Sequence, residues 1–129
     1  MINCFEGEFA FLSNFYDSPI PITDGIDTFT AKTVEHYYQA SKTPSMEEFL
    51  DILSAETPGR AKKLGKKCML YSEWEEIKID VMCHALKLKF ADPELKAKLL
   101  ATRDQYLEEG NYWCDNFWEF VIVISAKTP

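Results

Sequence analysis

A series of helix-initiation signals between residues 33 and 95 constrains the fold more than any other feature of the sequence. A side-chain oxygen at the N-cap satisfies an amide of the first helical turn, and proline is tolerated at the first helical position. The signals are Thr33 ahead of an aromatic segment, Thr57-Pro58-Gly59, the capping-box pattern Ser72-Glu73-Trp74-Glu75 and Asp92-Pro93-Glu94. We predict helices over residues 34–42, 46–54, from 57 to an end or loosening at Gly65, from 72 to about 90, and from 92 onward.

The first thirty residues look irregular and extended, with one hairpin signal. Two short apolar segments, residues 20–22 and 26–29, flank Thr23-Asp24-Gly25, and an Asp-Gly pair between such segments is typical of a tight hairpin turn. A chain of 129 residues is long enough for one domain and too short for two. The predicted fold class is therefore α+β and mainly helical, with a small N-terminal β element packed on a multi-helix domain spanning residues 1–129.

Charge and composition exclude several classes of function. The formal net charge is −7, from 14 Lys and Arg against 21 Asp and Glu, which argues against extended nucleic-acid binding because phosphate contacts need the opposite balance. One basic patch, residues 62–67, is suited to a phosphate group, so we expect a small phosphorylated ligand or a single modified nucleotide. No apolar run approaches the roughly 20 residues of a membrane span, and no signal peptide is visible. We expect a cytoplasmic protein with no membrane partner.

Three segments are richer in aromatic and polar residues than a plain core requires: residues 9–16, 33–42 and 111–118. The first is either a strand whose aromatic rings cover the core or a surface that offers Ser13 and Asn14 to a stacked base. In the second, Glu35, Gln39 and Lys42 share one helix face, which is either an ordinary surface stripe or a pocket wall. The third is either an aromatic anchor, with Asp115 as a cap, or a desolvated carboxylate among aromatic rings.

Together these segments resemble the NADAR (NAD- and ADP-ribose-associated) domain family, also called YbiA-like. The resemblance extends from residue 5 to residue 118 and rests on these stretches: FEGEFAFLSNFY at 5–16, TVEHYYQASK at 33–42, TPGRAKKLG at 57–65, Trp74 and Lys78 ahead of Met82, KLKF at 87–90, and Trp113, Asp115 and FW at 117–118. It implies hydrolysis of the ribosyl C–N bond of phosphorylated N-ribosides, such as early riboflavin-pathway intermediates, with release of ribose 5-phosphate. The alternatives are removal of ADP-ribose from guanine in nucleic acid and non-catalytic binding of ADP-ribose or NAD.

The resemblance also implies roles for individual residues. Glu35 and Asp115 are the expected catalytic pair, one stabilising the sugar cation or orienting water and the other protonating the leaving nitrogen. Neither order is favoured. The expected substrate-binding residues are Asn14 and Gln39 as hydrogen-bonding groups, Trp113 and Trp118 as stacking rings, Lys42 and Lys62 as phosphate ligands, and the aromatic residues Phe15, Tyr16 and Trp74. Neither a metal nor an organic cofactor is expected.

The tail departs from the family pattern. After Trp118 the family continues with a glycine- and asparagine-rich loop and a last helix, whereas residues 119–129 are apolar and β-branched and favour a strand. Our interpretation is a frameshift that replaces the family's C-terminal helix. On that reading, the pocket around the two carboxylates lacks part of its wall and activity is reduced.

Overall fold

The computed structural model describes residues 7–102 and confirms a mainly helical α+β fold. A short 3-10 helix, Gly7–Leu12, comes first and is followed by the antiparallel strands β1 (Ile20–Thr23) and β2 (Thr28–Ala31). Five helices follow: α1 (Val34–Ala40), α2 (Met46–Leu53), α3 (Pro58–Lys67), α4 (Trp74–Lys89) and α5 (Pro93–Thr102). Within residues 7–102 no helix is both long enough and apolar enough to cross a bilayer.

Local capping explains why three of the predicted helix starts are correct. The side chains of Thr33, Ser45 and Thr57 each accept a hydrogen bond from the backbone amide three residues later. Each bond satisfies an amide that has no partner within its helix. Asp92 acts similarly ahead of α5, because its Oδ1 accepts from the amides of Glu94 and Leu95 at 2.9 and 3.1 Å.

Three of the predicted helix features are wrong. The first helix ends at Ala40, with Ser41 as its C-cap, and does not reach Lys42. Ser72 does not cap α4: its hydroxyl instead donates to Glu73 Oε2 at 2.7 Å, and Glu73 stands at the N-cap without a side-chain cap bond. Gly65 does not end α3, which continues to Lys67. A glycine inside a helix often marks a close approach by another part of the chain, and this one faces α1.

The N-terminal β element consists of two strands of four residues each, and the segment before it is not a strand. Residues Gly7–Leu12 form a 3-10 helix, which excludes the strand interpretation of that stretch. The hairpin is confirmed, although β2 begins at Thr28 because residues 24–27 form the turn. Asp24 Oδ1 accepts from the amides of Ile26 and Asp27 at 2.8 and 2.7 Å, and Gly25 has a φ of 98°, which glycine adopts without steric cost.

Helix α1 lies at the centre of the described structure. It packs against α2, α3, α4 and both strands, and nearly all of its residues are buried. Its polar side chains therefore need partners inside the protein. His36 has two: the Thr33 hydroxyl at 2.9 Å from Nδ1 and the Ala55 carbonyl at 2.9 Å from Nε2. Burial lowers the pKa of His36, which favours the neutral imidazole. Because both ring nitrogens are in hydrogen bonds, His36 has a structural role within the described residues.

Candidate functional site

Glu35 is a buried carboxylate in the first turn of α1. Only 8% of the residue is exposed, so the surface-stripe interpretation of this helix face is wrong. Its Oε1 accepts a hydrogen bond from Gln39 Nε2 at 2.7 Å, and its backbone amide donates to the Asn14 carbonyl at 3.0 Å. Burying an anion is expensive without hydrogen-bond donors and is offset here by a charge-assisted bond. The result is a carboxylate with a defined orientation.

Gln39 lies between Glu35 and helix α3. The Gln39 side chain touches Gly65 so closely that a Cβ at position 65 would lie 1.8 Å from Oε1 and 2.7 Å from Cδ. The opposite amide orientation would turn an oxygen toward the Glu35 carboxylate, so the hydrogen-bond network assigns the nitrogen to Glu35. Gln39 Oε1 is buried without a hydrogen-bond partner in the described structure. Gln39 thus has a partner within the protein, and its predicted contact with a heterocycle stays a prediction.

An ammonium group and two aromatic rings lie near the C-terminal end of α1. Lys42 Nζ is 5.6 Å from the centroid of the Tyr38 ring, within the range of a cation–π interaction. Tyr38 in turn makes an edge-on contact with Trp74, with 5.2 Å between ring centroids. Trp74 is itself buried, so its ring supports Tyr38 and the described structure offers little of it to a ligand.

The charges around Lys42 point to an anion site. Burial lowers the pKa of Lys42, an effect opposed by nearby Cys68 and Glu35. The ammonium groups of Lys62 and Lys66 on α3 are close enough to lower that pKa further. The neighbouring residues Lys62, Lys63, Lys66 and Lys67 are all exposed. Several like charges near a half-buried ammonium favour the binding of an anion, because an anion relieves their repulsion.

Tyr38 belongs to this site, and the sequence prediction did not include it. Burial, with help from the negative charges of Glu35 and Glu75, raises the pKa of Tyr38 to about 12. The phenol therefore keeps its proton at neutral pH and can donate a hydrogen bond. The sequence spacing could have identified it. Tyr38 lies three residues after Glu35 and four before Lys42, and residues at these spacings share one face of a helix.

The segment after the 3-10 helix brings Asn14 to the start of α1. The Asn14 amide nitrogen lies 3.9 Å from Met82 Sδ, a weak acceptor, and its Oδ1 is buried without a hydrogen-bond partner in residues 7–102. Phe15 is 46% exposed, whereas Tyr16 is half-buried near Lys89, with 5.5 Å from Nζ to the ring centroid. Asn14 therefore presents an unsatisfied acceptor close to Glu35, which suits a ligand that carries an N–H or O–H donor.

The structure brings together one part of the predicted site. Glu35 and Gln39 lie on α1 and Lys42 lies two residues after its end. The Asn14 backbone and Trp74, through Tyr38, join them. Lys62 interacts with Lys42 through electrostatic repulsion, and among the described residues no hydrogen bond joins it to this group. The other predicted residues, Asp115, Trp113 and Trp118, lie outside the described residues, as does the tail from residue 119. Their roles stay predictions.

Comparison with known proteins agrees with the resemblance seen in the sequence. A family model for the NADAR domain matches residues 4–123. The chain is 37% identical over 124 residues to the chloroplastic riboflavin biosynthesis protein PYRR of Zea mays, covering 85% of this chain and 20% of that protein. It is 34% identical over 115 residues to the N-glycosidase YbiA of Escherichia coli K12, covering 84% of this chain and 69% of that protein.

One further relative and one solved structure extend this agreement. The chain is 37% identical over 112 residues to an N-glycosidase of Nostoc punctiforme, covering 82% of this chain and 69% of the relative. The NMR structure of E. coli YbiA superposes with a TM-score of 0.79 at 30% identity, covering 98% of this chain and 85% of that one. The chain thus spans about a fifth of the maize protein and about two thirds of the N-glycosidases.

Proposed function

Because the chain belongs to the NADAR domain family, we propose that it is an N-glycosidase that cleaves the ribosyl C–N bond of phosphorylated N-ribosides. Early riboflavin-pathway intermediates are the proposed substrates, with ribose 5-phosphate as the released sugar. Relatives named N-glycosidase and riboflavin biosynthesis protein support the reaction and the substrate class. The observation that carries the proposal is the buried Glu35 carboxylate, held by Gln39 at 2.7 Å near the half-buried Lys42.

The chemistry needs a fixed negative charge at the sugar. As the C–N bond breaks, its electron pair leaves with the base nitrogen and positive charge develops on the ribose. An oriented carboxylate with little access to water stabilises that charge or directs the attacking water, because it needs no reorganisation during the reaction. A second acid protonates the departing nitrogen. We assign these two roles to Glu35 and Asp115, in either order.

The remaining predicted residues divide between the two ends of the substrate. Lys42, with Lys62 beside it in the basic patch, is the proposed ligand of the phosphate. Asn14 is the proposed acceptor for a donor on the heterocycle or sugar, since its Oδ1 is buried and has no hydrogen-bond partner within residues 7–102. Trp113 and Trp118 are proposed to stack on the heterocycle, and Gln39 to act through Glu35.

A direct assay tests this function. The protein and Glu35→Gln are incubated with the riboflavin-pathway N-riboside and release of ribose 5-phosphate is measured. We expect Glu35→Gln to lose roughly 10²- to 10⁴-fold in rate, the usual range for a carboxylate that acts as an acid or base. Glu76→Gln, an exposed substitution on α4, is the matched control and should retain full activity. Retention of activity by Glu35→Gln would refute the assigned role.

The exposed lysines of α3 favour a second candidate. Lys62, Lys63, Lys66 and Lys67 provide more positive charge than one phosphate requires, which suits the diphosphate of an ADP-ribose group attached to guanine. Incubation with ADP-ribosylated guanine nucleotide and detection of free ADP-ribose distinguishes this activity. Saturable binding of ADP-ribose in calorimetry, without turnover of either substrate, would identify a binding module instead.

A further inference from the structure

Lys89, at the end of α4, is a buried cation that the reaction proposed above does not use. Only 1% of the residue is exposed, and the ion pairs of residues 7–102 do not include it. Its Nζ donates to the Ser13 carbonyl at 2.8 Å and lies 5.5 and 5.0 Å from the ring centroids of Tyr16 and Phe90. Burying an ammonium with one carbonyl acceptor and two rings is costly, so an apolar side chain of similar size would stabilise this position at least as well.

The carbonyl that accepts from Lys89 directly precedes the carbonyl that accepts from the Glu35 amide. The Ser13 carbonyl accepts from Lys89, and the next carbonyl, that of Asn14, accepts from the Glu35 amide at 3.0 Å. Two consecutive carbonyls therefore connect the end of α4 to the first turn of α1. The Ser13 carbonyl also accepts from the Tyr16 amide at 3.1 Å, so losing the Lys89 bond removes one of its two hydrogen bonds and loosens the backbone that leads to the Asn14 carbonyl.

We propose that Lys89 is a positioning residue for the proposed hydrolysis: by holding the Ser13 carbonyl, its ammonium group fixes the Asn14 peptide against Glu35. The proposal rests on the function proposed above, because it assigns Lys89 a role in that reaction. Lys89 does not touch the substrate in this role. It acts through the backbone of residues 13–14, on the orientation of the first turn of α1 that carries Glu35.

The surroundings of Lys89 include both signs of charge. A cavity of about 260 Å³ adjoins Lys89 and is lined by the phenol of Tyr16 and by four charged residues. These are Asp17, in the segment before β1, and Asp92, Glu94 and Lys98, around the start of α5. Burial alone lowers the pKa of Lys89, to about 7. Because the charged form makes the stronger hydrogen bond to a carbonyl, the positioning effect should weaken as the pH rises through neutrality.

The test compares Lys89→Met with Lys87→Met, which removes an exposed lysine from the same turn of the helix. We expect Lys89→Met to melt at an equal or higher temperature and to lose roughly 10- to 10²-fold in kcat, as small displacements of catalytic groups do. The KM for the phosphorylated substrate should change little, and Lys87→Met should match the unaltered protein. A Lys89→Met variant with normal kcat, or one that does not fold, would overturn the proposal.

A second measurement does not depend on activity. Hydrogen exchange of the Glu35 amide, followed by NMR, should be at least about tenfold faster in Lys89→Met because its bond to Asn14 opens more often. It should be unchanged in Lys87→Met. Unchanged exchange in Lys89→Met refutes the positioning role, whereas absence of turnover in the unaltered protein refutes only the proposed function.

A third variant keeps the positive charge. Lys89→Arg should retain the slow exchange of the Glu35 amide, and its kcat should lose the decline through neutral pH that we expect of the unaltered protein, since guanidinium does not deprotonate. A kcat of the unaltered protein that is flat through neutral pH, or a decline that persists in Lys89→Arg, would contradict the role of the ammonium charge.

Discussion

The close contact between Gly65 and Gln39 leads to a quantitative prediction about Gly65→Ala. An alanine Cβ would lie 1.8 Å from Gln39 Oε1, 2.7 Å from its Cδ and 3.1 Å from its Cβ. Gln39 is only 4% exposed, so its side chain has little room to move and must release Glu35 to make space. A methyl group placed by mutation in the interior of α3 thus breaks a bond on α1.

The expected change in the free energy of unfolding combines two destabilising contributions and one stabilising contribution. Overpacking of a filled site costs about 1–3 kcal/mol, and loss of a hydrogen bond to a charged group costs about 1.5–3 kcal/mol. Against them, replacing glycine by alanine within a helix contributes about 0.8–1 kcal/mol of stability. Since rearrangement of Gln39 relieves part of the overpacking, we expect Gly65→Ala to lower the free energy of unfolding by about 2 kcal/mol.

A double-mutant cycle identifies the cause. Gln39→Ala removes Oε1 and Cδ and leaves only the Cβ at 3.1 Å. Gly65→Ala should then be close to neutral, because the helix propensity of alanine offsets the remaining tight contact, which gives a coupling energy of about 2 kcal/mol. Free energies of unfolding come from urea titration of the four proteins. Gly59→Ala, in the same helix with its nearest contact at 3.9 Å, is the control and should be neutral or stabilising. An equal loss for Gly65→Ala in both backgrounds would refute the contact as the cause.

Two other predictions concern charge. Lys42→Met should raise the KM for a phosphorylated N-riboside roughly tenfold and leave that of the dephosphorylated nucleoside unchanged, because it removes a half-buried ammonium; steady-state kinetics with both substrates checks this. Burial lowers the pKa of Lys89 to about 7 from 10.5, so between these values the unfolded chain binds the extra proton and stability rises with pH, by up to about 1.4 kcal/mol per unit. Urea titrations across this range should show the slope, and Lys89→Met should reduce it to the part contributed by other groups such as Lys42, whose pKa burial also lowers.

The sequence was sufficient to predict the helical framework because its signals are local. Thr33 and Thr57 cap helices with bonds that reach three residues ahead, and no tertiary contact is needed to recognise them. Local reasoning failed where a distant or competing partner decided the outcome. Ser72 donates to the Glu73 carboxylate instead of capping α4. Helix α3 continues through Gly65, where the absence of a side chain leaves room for Gln39 to pack.

The family, too, could be identified from the sequence, because the spacing of its motifs is preserved over most of the chain. The burial and orientation of the candidate site residues could not be identified from the sequence. Helical spacing puts Glu35, Gln39 and Lys42 on one face whether that face is wet or buried. Only the packing of α3 on Gln39, and of the Asn14 peptide on the first turn of α1, decided that Glu35 is a buried and oriented carboxylate. Sequence periodicity determines which side of the helix a residue occupies, whereas its burial depends on which other parts of the chain pack against that side.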